Sequence, residues 1–96
     1  MMNKQDLNNK LAELYDLEPK LGKLYLIDDS ARMFYLSVQY SVDINYINDY
    51  GFVVADIKIN DEKFVKAFSE YKDYKTPSDS AKYAIAMALI ELKESK

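Results

Sequence analysis

The last third of the chain carries the pattern that most restricts its fold. Thr76-Pro77-Ser78-Asp79 reads as a helix start, with threonine as the N-cap, proline at the first helical position and a carboxylate three residues on. Behind it Ala81, Ala84, Ile85, Ala88, Leu89 and Leu92 recur at i, i+3, i+4, i+7, i+8 and i+11, the apolar stripe of an amphipathic helix. The alanines let that stripe lie close against a sheet, and Lys93 and Lys96 suit the negative end of the helix dipole. Only 96 residues are present to cover it, and a chain of that size closes around one core. The expectation is a single α+β domain over residues 1–96, a small antiparallel sheet with its hairpin near 42–59 packed against N-terminal, central and C-terminal helices.

The other elements follow from local signals. Asn3 caps a first helix in which Leu7, Leu11 and Leu14 share a face, and Glu18-Pro19 stops it. Residues 17–27, with Pro19, Gly22 and the run Leu24-Tyr25-Leu26-Ile27, read as a loop leading into an extended segment. Between 28 and 47 two signals compete. Phe34, Leu36, Val38, Tyr40, Val42, Ile44 and Tyr46 alternate as in one long strand, whereas Asp28-Asp29-Ser30 is an N-cap cluster followed by Met33, Leu36 and Tyr40 at helical spacing. We read a helix over about 29–40 and a strand over 42–47, with a continuous strand as the alternative. Asn48-Asp49-Tyr50-Gly51 is turn chemistry, and the β-branched run Phe52 to Ile59 completes an antiparallel hairpin. Asn60-Asp61 then caps a short helix with Phe64, Ala67, Phe68 and Tyr71 on its apolar side, fraying across Lys72 to Lys75.

The absence of histidine and cysteine narrows the chemistry. No disulfide, thiolate nucleophile, imidazole base or nitrogen and sulfur metal site can be built, which argues against an enzyme and suits a reducing compartment. Asp43, Asn45, Asn48 and Asp49 cluster oxygens near one turn, but their spacing fails that of a calcium loop and lacks its terminal glutamate. There is no glycine-rich phosphate loop and only one arginine, Arg32, so neither a metal nor a cofactor is expected. A net charge of −3 disfavours direct nucleic-acid binding. The polar start and the lack of a long apolar run predict neither a signal peptide nor a membrane span, hence a cytoplasmic protein.

Residues 28–59 and 76–92 resemble the small phage proteins of the phage ABA sandwich family. The resemblance lies in Asp28-Asp29-Ser30-Ala31-Arg32-Met33-Phe34-Tyr35-Leu36 running into Val42-Asp43-Ile44, the aromatic-led strand at Phe52, and Ala84-Ile85-Ala86-Met87-Ala88-Leu89. The chain departs from that pattern in having no tryptophan and in placing Ser41 where a glycine often separates helix from strand. The resemblance implies a helix-sheet-helix fold encoded by a phage or prophage, without a shared catalytic motif, and it transfers no functional residue.

Charge is uneven along the chain. Residues 28–62 hold Asp28, Asp29, Asp43, Asp49, Asp56, Asp61 and Glu62 against Arg32 and Lys58, a net of −5 within a chain of −3. A concentrated acidic face can occupy the basic groove of a nucleic-acid enzyme; the plainer reading is a solvated hairpin surface. Tyr46, Tyr50, Tyr71 and Tyr74 fall near turns, where rings serve as binding hot spots or cover the edge of a core. The expected partner-binding residues are Asp43, Tyr46, Asp49, Tyr50, Asp56, Asp61 and Glu62. The expected function is that of a phage-type accessory protein that inhibits a host protein with a basic surface, such as a CRISPR nuclease, in the host cytoplasm. Two alternatives stand beside it: a sponge for a signalling nucleotide, and an assembly protein or homodimer joined through Tyr25, Phe52 or Tyr83.

Overall fold

The computed structural model describes residues 3–95. The chain runs α1 (Lys4–Tyr15), a small hairpin of β1 (Lys20–Leu21) and β2 (Leu24–Tyr25), α2 (Ser30–Gln39), β3 (Val42–Ile47), β4 (Phe52–Lys58), β5 (Phe64–Glu70), a short 3-10 turn at Tyr71–Asp73, and α3 (Pro77–Glu94). All three helices start on the side-chain caps that the residue types favour. Asn3 accepts from the amide of Asp6 at 2.8 Å, Asp29 from that of Arg32 at 3.2 Å and Thr76 from that of Asp79 at 3.1 Å. The α+β class, the central helix and the hairpin of 42–59 therefore stand as read.

One element does not. Residues 64–70 are a strand and not a helix, completing an antiparallel sheet of order β3-β4-β5. Asn60 organises a turn instead of a helix, its side chain accepting from the amides of Glu62 and Lys63 at 2.9 and 3.0 Å. An Asx turn and a helix N-cap use the same side-chain chemistry, so the two are locally alike. The alternation of β5 then decides the matter. Val65, Ala67 and Ser69 are buried, while Phe64, Lys66, Phe68 and Glu70 are exposed.

The layers are the sheet, then α3, then α1. Helix α3 packs on β4 and β5 through one side and meets α1 and α2 through others. It is accordingly buried beyond a single stripe: Ala86 and Ile90 are 0% and 5% exposed although they lie off the face read from sequence. The resemblance implies helices on both sides of the sheet. Here the alternation of burial in β4 and β5 leaves the far side of the sheet uncovered among the described residues. A further apolar patch, Phe34, Tyr35 and Val38, lies on the outward side of α2.

Ser41 joins α2 to β3 at a φ of +54°, a left-handed conformation that costs an L side chain about 1 kcal/mol. That is the physical reason for a glycine at this junction. Ser41→Gly is expected to raise stability by about 0.5–1 kcal/mol and Ser41→Val to lower it, both read as shifts in the urea midpoint at unchanged slope.

Candidate functional site

The open face of the sheet is the surface on which the sequence-derived residues can be judged. Continuous register sets its rows: Asp43 lies opposite Asp56, and Asp56 opposite Lys66. Asn45, Val54 and Phe68 form the next row, Ile47, Phe52 and Glu70 the row beyond it, and Lys58 pairs with Phe64 at the other end. Phe64 and Phe68 are 55% and 66% exposed, and the ring of Phe68 meets that of Phe52 edge-on at 6.3 Å.

Like charges placed directly opposite each other destabilise a strand pair, so Asp43 against Asp56 works against the fold. Lys66 offsets it incompletely. Its Nζ stays 3.6 Å from Asp56 Oδ1, and that oxygen is buried with no hydrogen-bond partner among the described residues. The centre of the face therefore holds an under-satisfied carboxylate beside an aromatic patch.

The expected binding residues divide into separate places. Asp43 and Asp56 lie together on the open face. Tyr46 pairs with Val53 and so sits on the helix side of the sheet, half-exposed on edge strand β3. Asp49 and Tyr50 belong to the β3-β4 turn, where Tyr50 is 81% exposed. Asp61 and Glu62 belong to the β4-β5 turn at the opposite end, roughly 20 Å away along β4, and Asp61 is paired with Lys58 at 3.3 Å. Two further carboxylates of the acidic stretch are engaged in the fold, Asp28 with Lys4 and Asp29 as the cap of α2. The stretch is thus not one face. Arg32 is likewise engaged in the fold, its Nη2 donating to the carbonyl of Glu18 at 2.7 Å.

Sequence reasoning missed Phe64 and Phe68, which it assigned to the buried side of a helix. A second surface was missed too: a groove of about 830 Å3 beside β5, walled by Leu7, Phe68, Ser69, Tyr83, Met87 and Ile90 and edged by Lys4, Glu70, Asp73, Glu91 and Glu94. At its end Tyr74 stacks on Tyr83 with centroids 4.3 Å apart. Burial, then the carboxylate of Asp28 and the neighbouring Tyr74 and Asp79, push the Tyr83 phenol up to about 12. Tyr15, whose hydroxyl donates to the carbonyl of Leu89, is pushed up to about 12 by burial and then by Tyr40.

Among the described residues no group of carboxylates is placed to hold a metal ion, and no helix is long and apolar enough to cross a membrane. Compared with known proteins, the chain matches no family model, no curated protein and no solved structure.

Proposed function

We propose that this chain is a non-catalytic protein-binding domain whose partner presents a basic surface to the open face of the sheet. The observation that carries the reading is the composition of that face, where Phe52, Val54, Phe64 and Phe68 surround the opposed carboxylates Asp43 and Asp56. Covering the aromatic rings supplies apolar burial that the fold leaves unused. The carboxylate pair, which opposes folding, is relieved by a cation on the partner, and this selects for positive charge.

The shifted side chains support recognition over catalysis. Tyr15 and Tyr83 move up, Lys72 is raised by the hydrogen bond and charge of Glu70, and Asp79 is lowered by Lys82 and Thr76. Each moves away from neutrality, the opposite of what a general acid or base needs. Joined to the family that the sequence resembles, the reading is of a phage-type accessory protein that binds and inhibits a host protein. A nucleic-acid-handling defence enzyme such as a CRISPR nuclease has the kind of basic groove that such a face fits. A nucleotide sponge is less well supported, because the groove beside β5 is edged by Asp73 and Glu91, which have no ion-pair partner among the described residues and repel phosphate.

Asp43→Lys separates folding from binding. A lysine at 43 faces Asp56 across the strand pair, so the variant is expected to keep or gain about 0.2–1 kcal/mol of stability. Binding to a basic partner is expected to weaken by at least about tenfold and to lose part of its salt dependence. Phe68→Ser is expected to weaken it comparably through lost burial. The measurement is affinity for a crosslinked and identified host protein at two salt concentrations. Unchanged affinity in both variants sinks the proposal, and so does a nucleotide that raises the melting temperature while no protein is bound.

A further inference from the structure

The sheet stops one strand short of covering α3. Strand β5 is an edge, seven residues in unbroken register with β4 and without proline or bulge, two of the devices that usually protect an edge. The hydrogen bonds flanking the pair fix which groups are free. Tyr71 N–H donates to the carbonyl of Gly51 at 2.8 Å and Ile59 N–H to that of Lys63 at 2.9 Å, so the odd-numbered residues of β5 bond to β4. The amides and carbonyls of Phe64, Lys66, Phe68 and Glu70 therefore turn outward. Next to that edge, Tyr83, Met87, Ile90 and Glu94 of α3 form a stripe at i, i+4, i+7 and i+11 along the groove of about 830 Å3. Ser69 stands on the groove wall only 5% exposed, and its buried Oγ has no hydrogen-bond partner among the described residues.

The charge around the groove names the occupant. Glu70, Asp73, Glu91 and Glu94 edge it, and the cation in the lining, Lys4, contacts Asp28. Lys72 contacts Glu70 at 3.0 Å and Lys10 contacts Glu94 at 2.7 Å, while Asp73 and Glu91 have no ion-pair partner among the described residues. We infer that β5 is a docking edge for an extended, basic segment of a protein partner, which adds as a fourth strand. Its main chain bonds to the outward groups of Phe64, Lys66, Phe68 and Glu70. Its inward side chains cover Tyr83 and Met87, and its lysines or arginines meet Asp73 and Glu91. A second copy of this acidic chain suits the groove less well, since it brings its own carboxylates to the same edge. The inference extends the reading as a protein-binding domain to a surface independent of Asp43 and Asp56.

The test uses the full chain, labelled with nitrogen-15, and a ten-residue peptide alternating lysine with valine and closed by two lysines at each end, so that lysines fall on both faces of the added strand. The peptide is expected to slow amide exchange at Phe64, Lys66, Phe68 and Glu70 by at least about tenfold, while the same peptide with glutamate for lysine leaves them unchanged. Asp73→Lys with Glu91→Lys is expected to remove the protection, and Asp43→Lys to leave it intact, so failure of this inference is distinguishable from failure of the open-face reading. No protection at those four amides, equal protection by the glutamate peptide, or concentration-dependent self-association that protects them without peptide overturns it.

Discussion

Ala86→Glu is expected to destabilise the fold severely, lowering stability by about 3–5 kcal/mol at neutral pH. The apolar stripe read from sequence passes through Ala84 and Ala88, and Ala86 lies about 200° round the helix from either. On an ordinary amphipathic helix that position faces water, and glutamate there changes stability by less than about 0.5 kcal/mol. In this fold Ala86 is 0% exposed, because α3 is covered by the sheet on one side and by α1 and α2 on others. A carboxylate at 86 is buried without a cation and must either ionise at high cost or take up a proton. Either route removes a large part of the 5–15 kcal/mol that holds a typical domain together. Glu91→Ala, on the exposed side of the same helix, is the control and is expected to shift stability by less than about 0.5 kcal/mol. Urea unfolding followed by far-ultraviolet circular dichroism reads both, and a mild effect at Ala86 refutes the layered arrangement.

The double burial of α3 left a trace in the sequence. From Tyr83 to Ile90 no position is charged, which is more apolar circumference than one stripe requires and is the mark of a helix covered on more than one side. The capping residues Asn3, Asp29 and Thr76 were legible because their hydrogen bonds close within three residues. Strand β5 was not, because Phe64, Ala67, Phe68 and Tyr71 satisfy a helical period while Phe64 to Glu70 also satisfies the alternation of a strand. What chooses between them is long-range: the edge of β4, where Val53, Ala55 and Ile57 already face α3, takes β5 as its neighbour.

The opposition of Asp43 and Asp56 follows directly once the turn at 48–51 is placed, since the loop sets the register of the whole hairpin. The openness of their face has no such local origin. It depends on which side of the sheet all three helices choose, a decision made by packing between elements far apart in the chain. The same dependence hid the groove, which exists only because β5 is the last strand.

Asn8→Ala is expected to cost about 3 kcal/mol, more than any other polar truncation near the N-terminus. Asn8 is 0% exposed and clamps the loop before α2 from both of its amide atoms. Its Nδ2 donates to the carbonyl of Pro19 at 2.8 Å, and its Oδ1 accepts from the amide of Ile27 at 2.9 Å. The carbonyl of Pro19 keeps a second donor, the amide of Leu26 at 2.9 Å, so its loss is small. The amide of Ile27, itself 0% exposed, is left with none, and an orphaned buried donor costs about 1–3 kcal/mol before the vacated volume is counted. Asn8→Asp sharpens the test, because an ionised carboxylate lacks the donor and faces the lone pairs of Pro19, whereas a protonated one matches the native amide in shape and hydrogen bonding. Its folded pKa is therefore raised above the ordinary carboxylate value of about 3.9. The folded state then holds the proton over a range where the unfolded state has released it, so the stability of the variant relative to the native chain falls as pH rises through that range. Urea midpoints of both variants and the native chain, taken from pH 4 to 8, give the result. A pH-independent deficit for Asn8→Asp, or a cost below about 0.5 kcal/mol for Asn8→Ala, refutes the clamp on the loop before α2.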